Sequence, residues 1–160
     1  MKNNKYKTDI SVLDVAAYII KCLGEISSIK LWRLVFLCQV WYMVKNNGIP
    51  LFKEQFEAWI NAPMVRELYN IVMPTIFRGS VWRVPCGKPE RLDLKTKMLI
   101  FEVLRVYSRK SISDLVIGTT NILPWKIVRK SCDSMEACTN IISNDLIYDY
   151  YKDKQLDKLL

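Results

Sequence analysis

Lys30-Leu-Trp-Arg-Leu-Val-Phe-Leu-Cys-Gln-Val-Trp-Tyr42 is the stretch on which the reading of this chain turns. Leu31, Leu34, Val35, Cys38, Trp41 and Tyr42 recur at three- and four-residue steps, and Phe36, Leu37, Val40 and Val44 fill much of the remaining circumference. A helix that is apolar on nearly every side is surrounded by other elements rather than laid on a surface. The spacing therefore predicts a core helix that begins after Ser28 and runs to Asn46-Asn47-Gly48, with the rest of the chain packed around it. Gln39 sits within this run, and a buried amide must find hydrogen-bond partners. Glu57 is the expected one, either as acceptor for the Gln39 amide or as partner for Lys30.

On the N-terminal side, Ser11 and Asp14 form a short-armed capping box for a first helix. Val12, Ala16, Ile19, Ile20 and Leu23 follow at helical spacing, and Gly24 supplies a left-handed stop. On the C-terminal side, Phe56-Glu57-Ala58-Trp59-Ile60 reads as a short extended piece, because aromatic and branched residues cluster there. Asn61 then caps a helix that opens with Pro63, buries Met64, Val65, Leu68, Tyr69 and Val72, and ends at Pro74. Residues 76–84 suit a loop or small hairpin around Arg78-Gly79-Ser80. Asp93 caps a helix to Tyr107 whose inward face is Leu94, Met98, Phe101, Leu104 and Tyr107. Short helices follow from Ser111 or Ser113 to about Gly118 and from Trp125 to about Arg129, separated by a Thr119-Thr120-Asn121 loop. Ser143 caps a last helix that turns Leu146, Ile147, Tyr150 and Tyr151 inward.

The expected fold is thus mainly α, a compact single-domain bundle of six to seven short helices with one small β element around 55–60, 76–84 or both. Residues 1–10 form a basic lead, 11–151 the helical domain and 152–160 a polar tail. A Rossmann-like sheet would need strands alternating with helices, and that pattern is absent.

With 160 residues and 51% apolar composition, one domain is expected. No apolar run reaches the roughly 18 to 20 residues of a membrane span, and no signal-peptide pattern opens the chain, so a cytoplasmic protein without membrane association is expected. The chain has no histidine. Mechanisms that rely on an imidazole general base are excluded, and a zinc site would need four thiolates or carboxylates from scattered positions. No phosphate-cradling glycine motif is present. Cys22 and Cys38 lie in apolar helical patterns and read as small hydrophobes. No enzymatic activity and no cofactor is expected.

The charge of +8 is uneven: residues 78–110 hold nine basic side chains against three acids, a net +6. A basic face there could meet nucleic acid, an acidic protein surface, or only water.

Four groups of residues together resemble one family. Lys30-Leu31, Arg33-Leu34, Gln39 and Trp41 stand on an early helix; Glu57-Ala58-Trp59 is followed by Ala62-Pro63-Met64; Pro124-Trp125 comes later; and Ile141-Ile142 leads to Leu146-Ile147 and Tyr151. These residues resemble the Panacea or SocA-like domain of bacterial and phage antitoxins, over roughly residues 11 to 151. The chain departs from that pattern at Ala62, where the family has glycine, near Thr120, where it has histidine, and at Val65-Arg66, where it has Val-Pro. The resemblance implies a helical antitoxin module that neutralises a protein toxin encoded beside it by direct contact. It also implies that some members act as adaptors presenting the toxin to a protease or chaperone.

In such contacts a few aromatic and arginine side chains supply most of the binding energy. The candidate partner-binding residues are Lys30, Arg33, Arg66, Arg78, Trp82, Arg105 and Arg109. Gln39, Trp41, Glu57, Trp59, Pro63, Pro124 and Trp125 are expected to be structural. The alternative is a nucleic-acid-binding phage or host regulator that uses the basic 78–110 region, where Trp82 and Tyr107 lie among the cations.

Overall fold

The computed structural model describes residues 8–132 and 138–160. In chain order these form α1 (Val12–Leu23), β1 (Ile26–Ser27), α2 (Ser28–Lys45), β2 (Phe56–Trp59), β3 (Ala62–Met64), α3 (Arg66–Val72), β4 (Ser80–Val81), α4 (Leu94–Tyr107), α5 (Ile112–Thr120), α6 (Leu123–Arg129), β5 (Ile141–Ile142) and α7 (Asn144–Tyr151). Single 3-10 turns occupy Met73–Thr75, Pro89–Arg91 and Leu156–Lys158. The fold is mainly α. Two small antiparallel sheets, ordered β3-β2-β5 and β1-β4, join the helices where one β element was expected.

α2 is the core helix, and α1, α4, α5 and α7 all pack against it. Leu31, Leu34, Val35, Phe36, Leu37, Cys38, Val40 and Met43 are buried around its whole circumference. Gln39 is fully buried among them. Its carbonyl oxygen accepts from the backbone N–H of Leu51 at 2.8 Å and of Phe52 at 3.3 Å, and its amide donates to Asn144 Oδ1 at 3.4 Å. The partner is therefore not Glu57. The loop after α2 folds back over the helix that it leaves and offers its own N–H groups, while Glu57 is taken by Trp59 and Arg66.

That loop also fixes the start of α1. Glu54 accepts from the Ser11 hydroxyl and from Val12 N–H, both at 2.8 Å. The Ser11–Asp14 capping box forms as the sequence implies. Asp14, itself buried, accepts in addition from Lys88 N–H at 2.8 Å. This draws the segment before α4 onto α1. Gly87 makes the approach possible, because a Cβ there would sit 2.4 Å from the Leu13 carbonyl oxygen and 2.7 Å from Ala17 Cβ.

Residues 61–65 differ from the expected helix start. Asn61 is no cap; Ala62–Met64 pair antiparallel with β2, in register Ala58↔Pro63, and α3 begins only at Arg66. Proline suits the first position of a helix and an edge strand equally well, since neither needs its N–H, and β3 is the edge. Residues 76–84 take the hairpin option. Arg78 and Gly79 have φ of 53° and 82°, and Phe77 bridges Ser80. Ser80–Val81 then pair with β1.

α4 is rotated relative to expectation. Leu99, Ile100, Val103, Leu104 and Tyr107 face inward, whereas Leu94, Met98 and Phe101 are exposed. Apolar residues lie on both sides of this helix, so two stripes competed for the core. The better one is continuous with Ile100 and Val103, whose branched side chains pack tightly. α5 runs on to Thr120, past Gly118, so residues 119–120 are helical and not a loop. Residues 152–160 are not a free polar tail: Leu156, Leu159 and Leu160 pack on the core, and the Tyr107 hydroxyl donates to the Leu156 carbonyl. Leu160 occupies the space that a side chain at Gly118 would fill.

Of the cysteines, Cys38 is buried as expected, but Cys22 and Cys86 are exposed. Cys132 and Cys138 form a disulfide. No helix of the described residues is long and apolar enough to cross a membrane.

Two outcomes are expected from this packing. Gln39→Met, close in volume, leaves two buried N–H groups unpaired and should cost about 2 kcal/mol in urea unfolding; an unchanged midpoint would contradict the clamp. Burial raises the Tyr107 and Tyr151 phenols above their ordinary 10.0. Their contribution to stability is complete below pH 10 and is lost as pH climbs toward their folded values, because only the unfolded chain ionises freely. Near-ultraviolet circular dichroism should show unfolding in that alkaline range, and Tyr107→Phe should unfold at higher pH than the parent.

Candidate interaction surface

The residues singled out by sequence fall in four separate places. The first is the β2–β3 hairpin. Alternation along β2 puts Glu57 and Trp59 on one face. The Glu57 carboxylate accepts from Trp59 Nε1 at 2.7 Å and from Arg66 Nε and Nη2 at 2.9 and 2.7 Å. This bidentate pair is strong and orienting. The hydrogen bonds to Glu57 hold the Arg66 guanidinium above its ordinary value. Its plane lies over the Trp59 ring at 5.7 Å, and Trp59 meets Tyr69 edge-on at 4.8 Å. Trp125 donates its indole N–H to the Trp59 carbonyl at 2.8 Å, so Pro124-Trp125 on α6 is tied to the same hairpin. Arg66 is half-exposed, but its hydrogen-bonding edge is taken.

The second place is interior. Arg33 projects from α2 toward the turn of the hairpin and is only 5% exposed. Its Nη2 donates to the Asn61 carbonyl at 2.9 Å, while Nε and Nη1 have no partner among the described residues. Among the described residues no carboxylate pairs with it, and burial pulls the guanidinium down to about 10. The Thr120 hydroxyl shares the same Asn61 carbonyl at 3.1 Å. Nothing in local spacing announced this burial: the acceptor lies 28 residues downstream, on a turn the sequence reads as a helix cap. Lys30, one turn earlier, is half-buried and makes no salt bridge among the described residues.

The third place is the Phe77–Ser80 hairpin. Phe77 and Trp82 are 63% and 53% exposed, with Arg78 over the Phe77 ring at 5.2 Å and Arg83 over the Trp82 ring at 4.9 Å.

The fourth is α4, where Arg105 and Arg109 continue a stripe begun by the exposed Leu94, Met98 and Phe101. A groove of about 470 Å³ runs between this helix and the end of α2, lined by Tyr42, Lys45, Leu94, Met98 and Leu99. A second, of about 320 Å³, lies between α4 and the end of α1, lined by Leu23, Phe101, Leu104, Arg105 and Arg109. This apolar ridge was missed because the same side chains were assigned to the core. The all-round apolar character of the 94–107 sequence was the available signal.

Among the described residues no group of three or more cysteines and carboxylates is placed to hold a metal ion. Compared with protein-family models, curated proteins and solved structures, the chain matches none.

The burial of the Arg33 guanidinium has a consequence for stability. Since burial holds Arg33 at about 10, below a free guanidinium, its charge costs stability below pH 10, and that cost fades as pH rises above 10. Arg33→Met should therefore leave the unfolding free energy unchanged or raise it by about 1 kcal/mol, the Asn61 carbonyl keeping Thr120 as donor. Arg66→Met should instead lower the midpoint of denaturant unfolding, because the nearly buried Glu57 carboxylate loses its bidentate donor. A large loss for the first variant in denaturant titration would mean that the interior cation is compensated.

Proposed function

We propose that this chain is a cytoplasmic protein-binding module of antitoxin type, which holds a protein toxin by surface contact and makes or breaks no bond. The observation that carries the reading is the exposed apolar ridge of Leu94, Met98 and Phe101 beside cations that form no salt bridge among the described residues, on a helix whose opposite face is locked into the core. Water-facing apolar side chains on successive turns add nothing to the fold and are characteristic of a contact surface. The residues shared with the Panacea or SocA-like pattern support the reading in a different way. Gln39, Glu57, Trp59, Pro63 and Trp125 serve to hold the hairpin, α6 and the loop after α2 in place, as a rigid binding scaffold requires. From the same resemblance comes an adaptor variant, in which the bound toxin is passed to a protease or chaperone.

A second reading, nucleic-acid binding, draws on the Phe77–Trp82 hairpin, where two exposed aromatic rings lie under arginines. Stacked aromatic and cationic groups of this kind suit single-stranded bases.

Co-expression with the product of the adjacent reading frame tests the first reading. Growth should be restored and an equimolar complex should co-purify through a salt wash. Absence of rescue together with salt-sensitive retention on single-stranded DNA, lost on Trp82→Ala, would favour the second.

A further inference from the structure

Leu94, Met98 and Phe101 are 74%, 59% and 60% exposed, and successive steps of four and three residues align them on one edge of α4. Arg105 extends that edge, giving a straight ridge of about 17 Å at 1.5 Å per residue. Grooves run beside it on the α2 side and the α1 side. We propose that this ridge is the docking site for an acidic amphipathic helix of a partner protein, an inference that rests on the protein-binding reading above and names its surface.

Three features select that occupant. A ridge flanked by grooves seats a second helix, whose side-chain rows fit the furrows on either side. The apolar centre then meets the apolar stripe of the incoming helix. The rim selects for charge: Lys95, Lys97, Arg105 and Arg109 form no salt bridge among the described residues. Two acids lie close by, Glu102 paired with Lys45 and Asp93 capping the helix through the Thr96 N–H and drawn on by Lys95 and Lys97, so the rim cations outnumber them. The unspent charge around the ridge is therefore positive, and it asks for carboxylates.

Other occupants fit less well. A second copy of the chain would set the same cations against each other. A nucleic acid would satisfy the rim but leave Leu94, Met98 and Phe101 without apolar partners. Residues 1–7, with Lys2, Lys5 and Lys7, carry the wrong sign.

The test uses the full chain and a fluorescein-labelled designed peptide of about five helical turns, with leucines at i, i+3, i+4 and i+7 and glutamates on both flanks. A twin peptide replaces every glutamate by lysine. Fluorescence anisotropy should show saturable binding of the acidic peptide and at least about tenfold weaker binding of the twin. Met98→Glu with Phe101→Glu should weaken the acidic peptide by about tenfold or more. Arg105→Glu with Arg109→Glu should also weaken it and flatten its salt dependence. Lys130→Glu, exposed at the end of α6, should leave it unchanged. All these side chains are exposed, so circular dichroism should stay that of the parent.

Several results would overturn the proposal: no saturable binding, equal binding of both peptides, or indifference to Met98→Glu with Phe101→Glu. Self-association that this double variant abolishes would assign the ridge to a second copy. Oligonucleotide binding that displaces the peptide and survives the variant would assign the rim to nucleic acid. The co-expression assay separates the two levels. If the parent chain rescues growth and the double variant rescues equally, the docking site falls while the antitoxin reading stands. If the parent fails to rescue but binds the acidic peptide with the signatures above, the reverse holds.

Discussion

Burying one amide organises much of this molecule. Gln39 lies in the middle of a helix with no solvent at hand, and an unsatisfied amide in that setting costs as much as several well-packed methyl groups contribute. Its carbonyl can be satisfied only by bringing Leu51 and Phe52 back along the helix they have just left, and its amino group by bringing the first turn of α7 alongside. Glu54 is then delivered to the start of α1, and Asp14 on α1 in turn receives Lys88. One polar side chain in α2 is thereby linked, through hydrogen bonds made by side chains, to the start of α1, the segment before α4 and the first turn of α7. Apolar burial drives the collapse, but it is non-directional. The polar contacts decide which collapsed arrangement is kept.

A second polar group in the same helix behaves differently. Among the described residues Arg33 has a single hydrogen bond from its guanidinium and no counter-ion, so its burial carries a desolvation cost that the fully bonded Gln39 does not. The two lie under neighbouring parts of the structure, the loop after α2 and the turn of the β2–β3 hairpin. The hairpin itself is held from outside by Glu57, Arg66 and Trp125, contacts made to its strands and not to its turn. These outer contacts explain how the turn keeps its place over a buried cation.

Elements whose signals are local were legible in the sequence. The Ser11–Asp14 capping box, the glycine stop at Gly24, the Asp93 cap and the all-round apolar α2 depend on residues within a few positions of one another, and each appears where expected. Features decided by distant partners were not. Pro63 fits a helix start or an edge strand, and only the presence of β2 to pair with selects the strand. α4 offers two apolar stripes, and the choice belongs to α1 and α2. The final leucines read as part of a charged tail because the Tyr107 hydroxyl and the space above Gly118 are far away in sequence. The candidate contact residues suffered most, since exposure is itself a tertiary property: Arg33 went inside, Arg66 was taken by Glu57, and Leu94, Met98 and Phe101 came out.

The small three-stranded sheet limits how anything can attach to this protein. Its outer strands are a two-residue stub, β5, and a three-residue strand interrupted by Pro63, which has no N–H to offer. An incoming chain would find few main-chain donors and acceptors on the described edges of this sheet with which to continue the ladder, and the same shortness guards against edge-to-edge aggregation. Recognition is left to side chains displayed on helices and turns, where affinity and selectivity can be altered by substitution without disturbing the backbone that supports them.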